Sequence, residues 1–169
     1  ASTENPNDAH CRIILAFGSP GSDTLIPRDF MEEIPGLVVA TDILPFRGAG
    51  LISKPDPLRG DGQIYGQLGS DRFRISLGAW APQTPSSVRS LTSTALKWLE
   101  PLPTDQIIEA GCGIGTLSLP LARQAQQLIG IDMSRPAIQD AQFNARYGHV
   151  DNVNFLTGRA EHSLQQTLD

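Results

Sequence analysis

Residues 106–132 read QIIEAGCGIGTLSLPLARQAQQLIGID, and the fold turns on how this stretch is divided. QIIEA (Gln106 to Ala110) and QLIGID (Gln127 to Asp132) are short apolar runs, separated by a glycine-rich turn and by LSLPLARQAQ, whose spacing is helical. A strand, a turn, a helix and a second strand follow from that division. On the C-terminal side, SRPAIQDAQFNARYG reads as another helix. Ser134 can cap it, Pro136 suits its first turn, Ala137, Ile138, Ala141 and Ala145 share one face, and Gly148 stands just past its end. NVNFL then reads as a third strand. The alternation βαβαβ is the half-unit of a doubly wound parallel sheet, so the fold class expected here is α/β, a Rossmann-like half-sheet.

On the N-terminal side, SSVRSLTSTALKWLEPLP places Val88, Leu91, Ala95 and Leu99 along one helical face, and Pro101 and Pro103 stop the run. This helix is expected to link two units. Before it, CRIILAF (Cys11 to Phe17) and GLVVATDI (Gly36 to Ile43) read as strands, TLIPRDFMEEI as a short helix and FRGAGLISKPDPLRGDG as loop. QIYGQLGSDRFRISLG reads as a hairpin turning at Gly69-Ser70-Asp71, with Phe73, Ile75 and Leu77 on one face of its second arm and Arg72, Arg74 and Ser76 on the other. The two arginines fit a solvated face or an RNA-facing patch. The expected organisation is a small α+β subdomain over residues 1–85, a linking helix over 86–103 and the half-sheet over 104–169.

Composition narrows the function classes. Of the 169 residues, 40% are hydrophobic and 18% charged, with a net charge of −5, as in an ordinary globular protein. No apolar run approaches the roughly 20 residues of a membrane helix, and ASTENPNDAH has neither the basic start nor the apolar middle of a signal peptide. A cytoplasmic setting without a membrane partner is expected. Residues 1–100 carry 9 Lys+Arg against 11 Asp+Glu, and residues 101–169 carry 4 against 7, so any grip on nucleic acid must be local or shared with another domain. Cys11 and Cys112, with three scattered histidines, give no zinc, iron–sulfur or disulfide spacing.

The glycine turn carries the binding chemistry. Gly111, Gly113 and Gly115 let the backbone turn sharply and approach a ligand. Their GxGxG spacing differs from the GxGxxG of dinucleotide sites. Glu109, two residues earlier, aims a carboxylate at the loop that would repel a pyrophosphate and attract a cationic amino-acid moiety. Asp132 ends the next strand, where a carboxylate accepts both hydrogen bonds of a ribose diol, or else opens the helix after it. S-adenosyl-L-methionine, a cation without phosphate, fits this pair better than a nicotinamide cofactor.

These residues resemble the RNA uracil-5-methyltransferases that act on ribosomal and transfer RNA. The similarity runs through AWAPQTP (Ala79 to Pro85), ALKWL (Ala95 to Leu99), EAGCGIGTLSLPLA, GID, AQFNARYGHVDNVNF and GRAE, spanning residues 79–161. The resemblance implies an S-adenosyl-L-methionine site formed by Gln83, Glu109, Gly111, Gly113, Gly115, Thr116, Asp132 and Arg159, with Arg159 near the adenine. It implies RNA, ribosomal or transfer, as the partner. The family's chemistry uses a cysteine thiolate that adds to the uracil ring. That nucleophile and a DPPR-like loop lie downstream of the GRAE region, so the chain resembles a fragment or truncated relative with no catalytic residue among those present. Cys112 and Cys11 then read as packed thiols, and the incomplete sheet as a route to self-association. A methyltransferase with another acceptor, or a non-catalytic cofactor-binding module, remains open.

Overall fold

The computed structural model describes residues 13–18, 37–43, 57–59, 63–68, 71–76, 78–79, 81 and 85–163. The chain divides into two compact units, Ala1–Ile64 and Tyr65–Asp169. In the first, β1 (Ile13–Gly18), β2 (Leu37–Ile43) and β3 (Pro57–Arg59) form a sheet in that order. β1 runs parallel to β2, and β3 antiparallel to it. Both apolar runs are therefore strands, as expected. The stretch read as loop is partly strand, because Pro57 stands at the first position of β3, where a missing N–H is tolerated. The short helix expected in TLIPRDFMEEI lies outside the described residues.

A two-stranded hairpin follows, β4 (Gln63–Leu68) and β5 (Asp71–Ser76). Helix α1 (Pro85–Leu99) ends at Glu100, which adopts a positive φ of 43°. Then come β6 (Gln106–Ala110), α2 (Ser118–Ala122), β7 (Gln127–Asp132), α3 (Arg135–Tyr147) and β8 (Val153–Thr157). β6, β7 and β8 form a parallel sheet with β7 in the middle, Gln106 opposite Gln127 and Leu128 opposite Val153. This is the βαβαβ half-sheet read from the sequence. Its first helix is shorter than expected, five residues, because the chain after Ala122 turns down to Gln126. Asn152 Nδ2 donates to the carbonyls of Ala122 (2.6 Å) and Ala125 (3.0 Å), satisfying oxygens that a helix end leaves without partners.

Glycine sets the thickness of the core. A Cβ on Gly130 in the central strand would stand 2.6 Å from Phe155 Cδ1 and 3.0 Å from Cys112 Sγ, so the Phe155 ring lies directly against the backbone of β7. Around it pack Cys112, Ile114, Leu119, Leu128, Ala137, Ile138, Ala141 and Ala145, with Phe73 of β5 in the same cluster. The small residues of α3 let that helix approach the glycine turn closely. Ser134 caps α3 by accepting from Ala137 N–H, as its sequence position implies. At the other end the left-handed residue is His149 (φ 52°), whereas Gly148 (φ −82°) makes room for the nearby Arg123 guanidinium.

Two expectations need correction. On α1 the line facing the core is Val88, Ala95 and Leu96, while Leu91 and Leu99 are exposed. On β5, Phe73 is buried as its alternation requires, but the opposite face is not simply solvated. Arg74 Nε donates to Asp140 Oδ1 at 2.6 Å, and Ser76 offers its backbone N–H to Oδ2 (2.6 Å) and its hydroxyl to Oδ1 (2.7 Å). Asp140 is fully buried on α3. Arg74 is therefore half of an ion pair that fastens the hairpin to the helix, with Arg72 left exposed beside it.

Candidate cofactor site

The carboxyl ends of β6 and β7 define the site. Gly111, Gly113 and Gly115 all adopt positive φ (77°, 54° and 85°), the region that glycine enters without the steric cost of a Cβ. Gly111 and Cys112 both donate their N–H groups to Ile131 C=O (2.7 and 3.1 Å), and Gly113 N–H donates to Asp132 Oδ2 (2.9 Å). Three successive amides are thus turned back onto β7. The loop offers an incoming anion none of them, which separates it from phosphate-cradling turns.

What it offers is negative charge. Glu109, near the end of β6, accepts a 2.5 Å hydrogen bond from Ser118 Oγ at the start of α2. Burial pushes its carboxyl up to about 7, the Ser118 hydroxyl pulls it down, and the nearby Asp132 charge raises it further. Asp132 spends one lone pair of Oδ2 on Gly113 and one of Oδ1 on Ser134 N–H (2.8 Å). It therefore opens the following helix, as one reading of the sequence required. An ionised carboxylate has about four acceptor sites, so about two remain. Among the described residues neither Glu109 nor Asp132 has an ion-pair partner.

The other sequence-derived residues fall around this centre to different degrees. Thr116 follows Gly115 in the loop and is half-buried. Arg159 joins from the far side, since Gly158 N–H donates to Asp132 C=O at 2.9 Å. Its guanidinium is exposed and paired with Glu161 at 2.7 Å. Gln83 lies outside the described residues, as does Cys11. Cys112 is buried against Gly130, and its thiol is driven well above the ordinary range, first by burial and then by the Glu109 and Asp132 charges. It is a packed, protonated thiol, as expected.

Three neighbours escaped the sequence reading. Met133 directly follows Asp132 and is 66% exposed. Asn144, buried on α3, accepts from Arg74 N–H (2.7 Å) and donates to Ile114 C=O in the glycine loop (3.0 Å). Asp140 lies one turn earlier. The available signal was polar residues on the alanine stripe of α3, since 137, 140, 141, 144 and 145 share one face.

A glycine turn after the first strand and a carboxylate at the end of the second, in a parallel βαβαβ sheet, define a Rossmann-like half-sheet with a candidate cofactor loop. A family model described as "Methyltransferase domain" matches residues 103–169. The particular relatives are enzymes of RNA. A protein of Halalkalibacterium halodurans named as an uncharacterized RNA methyltransferase is 37% identical over 144 residues, covering 84% of this chain and 31% of that protein. The tRNA (uracil-5-)-methyltransferase homolog B of Danio rerio is 27% identical over 139 residues, covering 79% and 29%. Among solved structures, the Pyrococcus abyssi tRNA (uracil-54, C5)-methyltransferase in complex with S-adenosyl-L-homocysteine superposes with a TM-score of 0.62 at 18% identity, covering 87% of this chain and 36% of that one. The chain is thus related to RNA methyltransferases, and it spans under a third of the length of these two curated relatives.

Proposed function

We propose that this chain is the S-adenosyl-L-methionine-binding portion of an RNA (uracil-5-)-methyltransferase. The observation that carries the reading is the pair of carboxylates, Glu109 and Asp132, held without ion-pair partners among the described residues at the mouth of a loop whose Gly111 faces open space. A Cβ at Gly111 would meet nothing within 4 Å, so the loop leaves a cradle free of side chain. Glu109 suits the ligand's ammonium group, and the remaining lone pairs of Asp132 suit two ribose hydroxyls. Met133 adds an apolar surface for a purine, and Thr116, Arg159 and Gln83 complete the set. Bound there, the cofactor supplies an electrophilic methyl group. The chain's own residues hold it and set its orientation.

The acceptor in this reading is uracil in ribosomal or transfer RNA, with RNA named for one relative and uracil and transfer RNA for another, and the setting is cytoplasmic. Among the described residues no helix is long and apolar enough to cross a membrane. Self-association through the incomplete sheet belongs to the same reading. Calorimetry with S-adenosyl-L-homocysteine and with NADH tests the cofactor site. The homocysteine derivative is expected to bind, and Asp132→Asn to weaken it about tenfold through a lost charge-assisted bond. Tighter binding of NADH would overturn the reading.

A further inference from the structure

At the C-terminal end of α3, a cleft of about 290 Å³ is lined by Tyr65, Arg72, Phe143 and Tyr147. Its size is at the lower limit of small-ligand pockets, which start at about 300 Å³, and suits one flat group. Phe143 and Tyr147, one turn apart on α3, lie with ring centroids 6.2 Å apart and planes 13° from parallel. Tyr65 of β4 meets Phe143 edge-on at 6.5 Å. Two guanidinium groups face these rings: Arg74 Cζ is 4.1 Å from the Phe143 centroid and Arg72 Cζ is 4.6 Å from that of Tyr65. Core packing does not account for the cluster, since Tyr147 is 55% exposed.

The local charges decide what the cleft can attract. Asp71, next to Arg72, is taken by Arg123 through two bonds of 2.8 and 2.7 Å. Asp140 is taken by Arg74 and Ser76. Among the described residues, Arg72 has no carboxylate partner and is exposed. An aromatic face in water beside a guanidinium with unused donors matches a base and its adjoining phosphate. A chain with a net charge of −5 has no general attraction for nucleic acid, so any grip is local, as in this arrangement, or shared with another domain.

We propose that Tyr65, Arg72, Phe143 and Tyr147 form a stacking seat for an unpaired nucleotide of RNA. The inference rests on the proposed reading that RNA is the acceptor. From Ser134 to Tyr147 the helix runs about 20 Å at about 1.5 Å per residue, so Tyr147 stands well away from the Asp132 end of the cofactor site, and the seat holds a nucleotide other than the target base. It anchors the strand and so fixes which position reaches the cofactor.

The test uses the full chain and fluorescence anisotropy with a labelled single-stranded oligouridylate, a duplex of equal length as control, and S-adenosyl-L-homocysteine calorimetry on every variant. Tyr147→Ala is expected to weaken single-strand binding about 5- to 100-fold and Tyr147→Phe to change it less than about twofold, as stacking requires. Arg72→Ala is expected to lower the salt slope by about one phosphate contact. Cofactor affinity is expected to stay level in all three. Equal RNA affinity across wild type and variants, or no single-strand binding by wild type, overturns the seat. So does a Tyr147→Ala variant that loses a dimer in sedimentation while keeping its RNA affinity, because the cleft would then hold a second copy of the chain. Failure of the cofactor reading shows separately, as absent cofactor binding in wild type, and leaves the RNA comparison readable.

Discussion

Glu109 is the residue whose chemistry is easiest to move. Its folded value of about 7 lies above the ordinary 4.5, so the folded chain binds this proton more tightly than the unfolded chain does. The sign follows: the contribution to stability is complete below about 4.5 and is lost as pH rises through about 7. Urea midpoints measured across that window should fall with pH, and Glu109→Gln should remove this component of the slope; an identical slope in the variant would refute the assignment. A cationic ligand favours the ionised form, so affinity for S-adenosyl-L-methionine should rise with pH through about 7, with proton release at lower pH. Calorimetry in buffers of different ionisation enthalpy reads that release directly. The glycines separate two roles in the same way. Gly130→Ala forces a Cβ against Phe155 and should cost about 1–3 kcal/mol in chemical denaturation. Gly111→Ala has open space but a φ of 77°, so it should cost only about 1 kcal/mol in stability while obstructing the cradle and weakening the cofactor disproportionately.

At the scale of elements, one buried carboxylate, Asp140, carries the ion pair between β5 and α3, beside the Asn144 bonds to the Arg74 backbone. Asp140→Ala leaves the Arg74 guanidinium and the Ser76 N–H without their acceptor and should destabilise the chain by about 3 kcal/mol, read from urea unfolding. A loss below about 0.5 kcal/mol, typical of surface substitutions, would show that the pair is idle. The sequence could not reveal this pairing. Alternation places Arg74 and Ser76 on the polar face of a strand, but only the tertiary fold brings a helix 66 residues later against that face. The parallel strands and α3 were legible because cap, proline, alanine stripe and glycine agree over one continuous stretch. The line of burial on α1 was not, because Val88 and Ala95 belong to two stripes, one through Leu91 and Leu99 and one through Leu96. Packing against the core chose the second, leaving two leucines in water. In the site, the loop glycines and both carboxylates were legible from spacing, whereas the Ser118 bond that tunes Glu109 and the Gly113 bond that occupies Asp132 appear only in three dimensions.

For the whole molecule, Trp98 (80% exposed), Leu99 and Leu102 form an apolar end at the exit of α1. The 169-residue chain is expected to associate at high concentration, and Trp98→Gln to weaken that association about tenfold, the scale of one anchoring aromatic in an interface. Sedimentation velocity decides it, and a wild-type chain that stays monomeric throughout would refute it. Asn144 has a wider reach. One amide accepts from the backbone of Arg74 and donates to that of Ile114, so a strand of the hairpin and the cofactor loop are braced against the same side chain. If filling the loop shifts this amide strut, the two occupancies are thermodynamically linked: whatever factor a filled loop adds to oligouridylate affinity, the oligouridylate must return to the cofactor. Removing the strut with Asn144→Ala should uncouple the two affinities, so that neither ligand any longer senses the other.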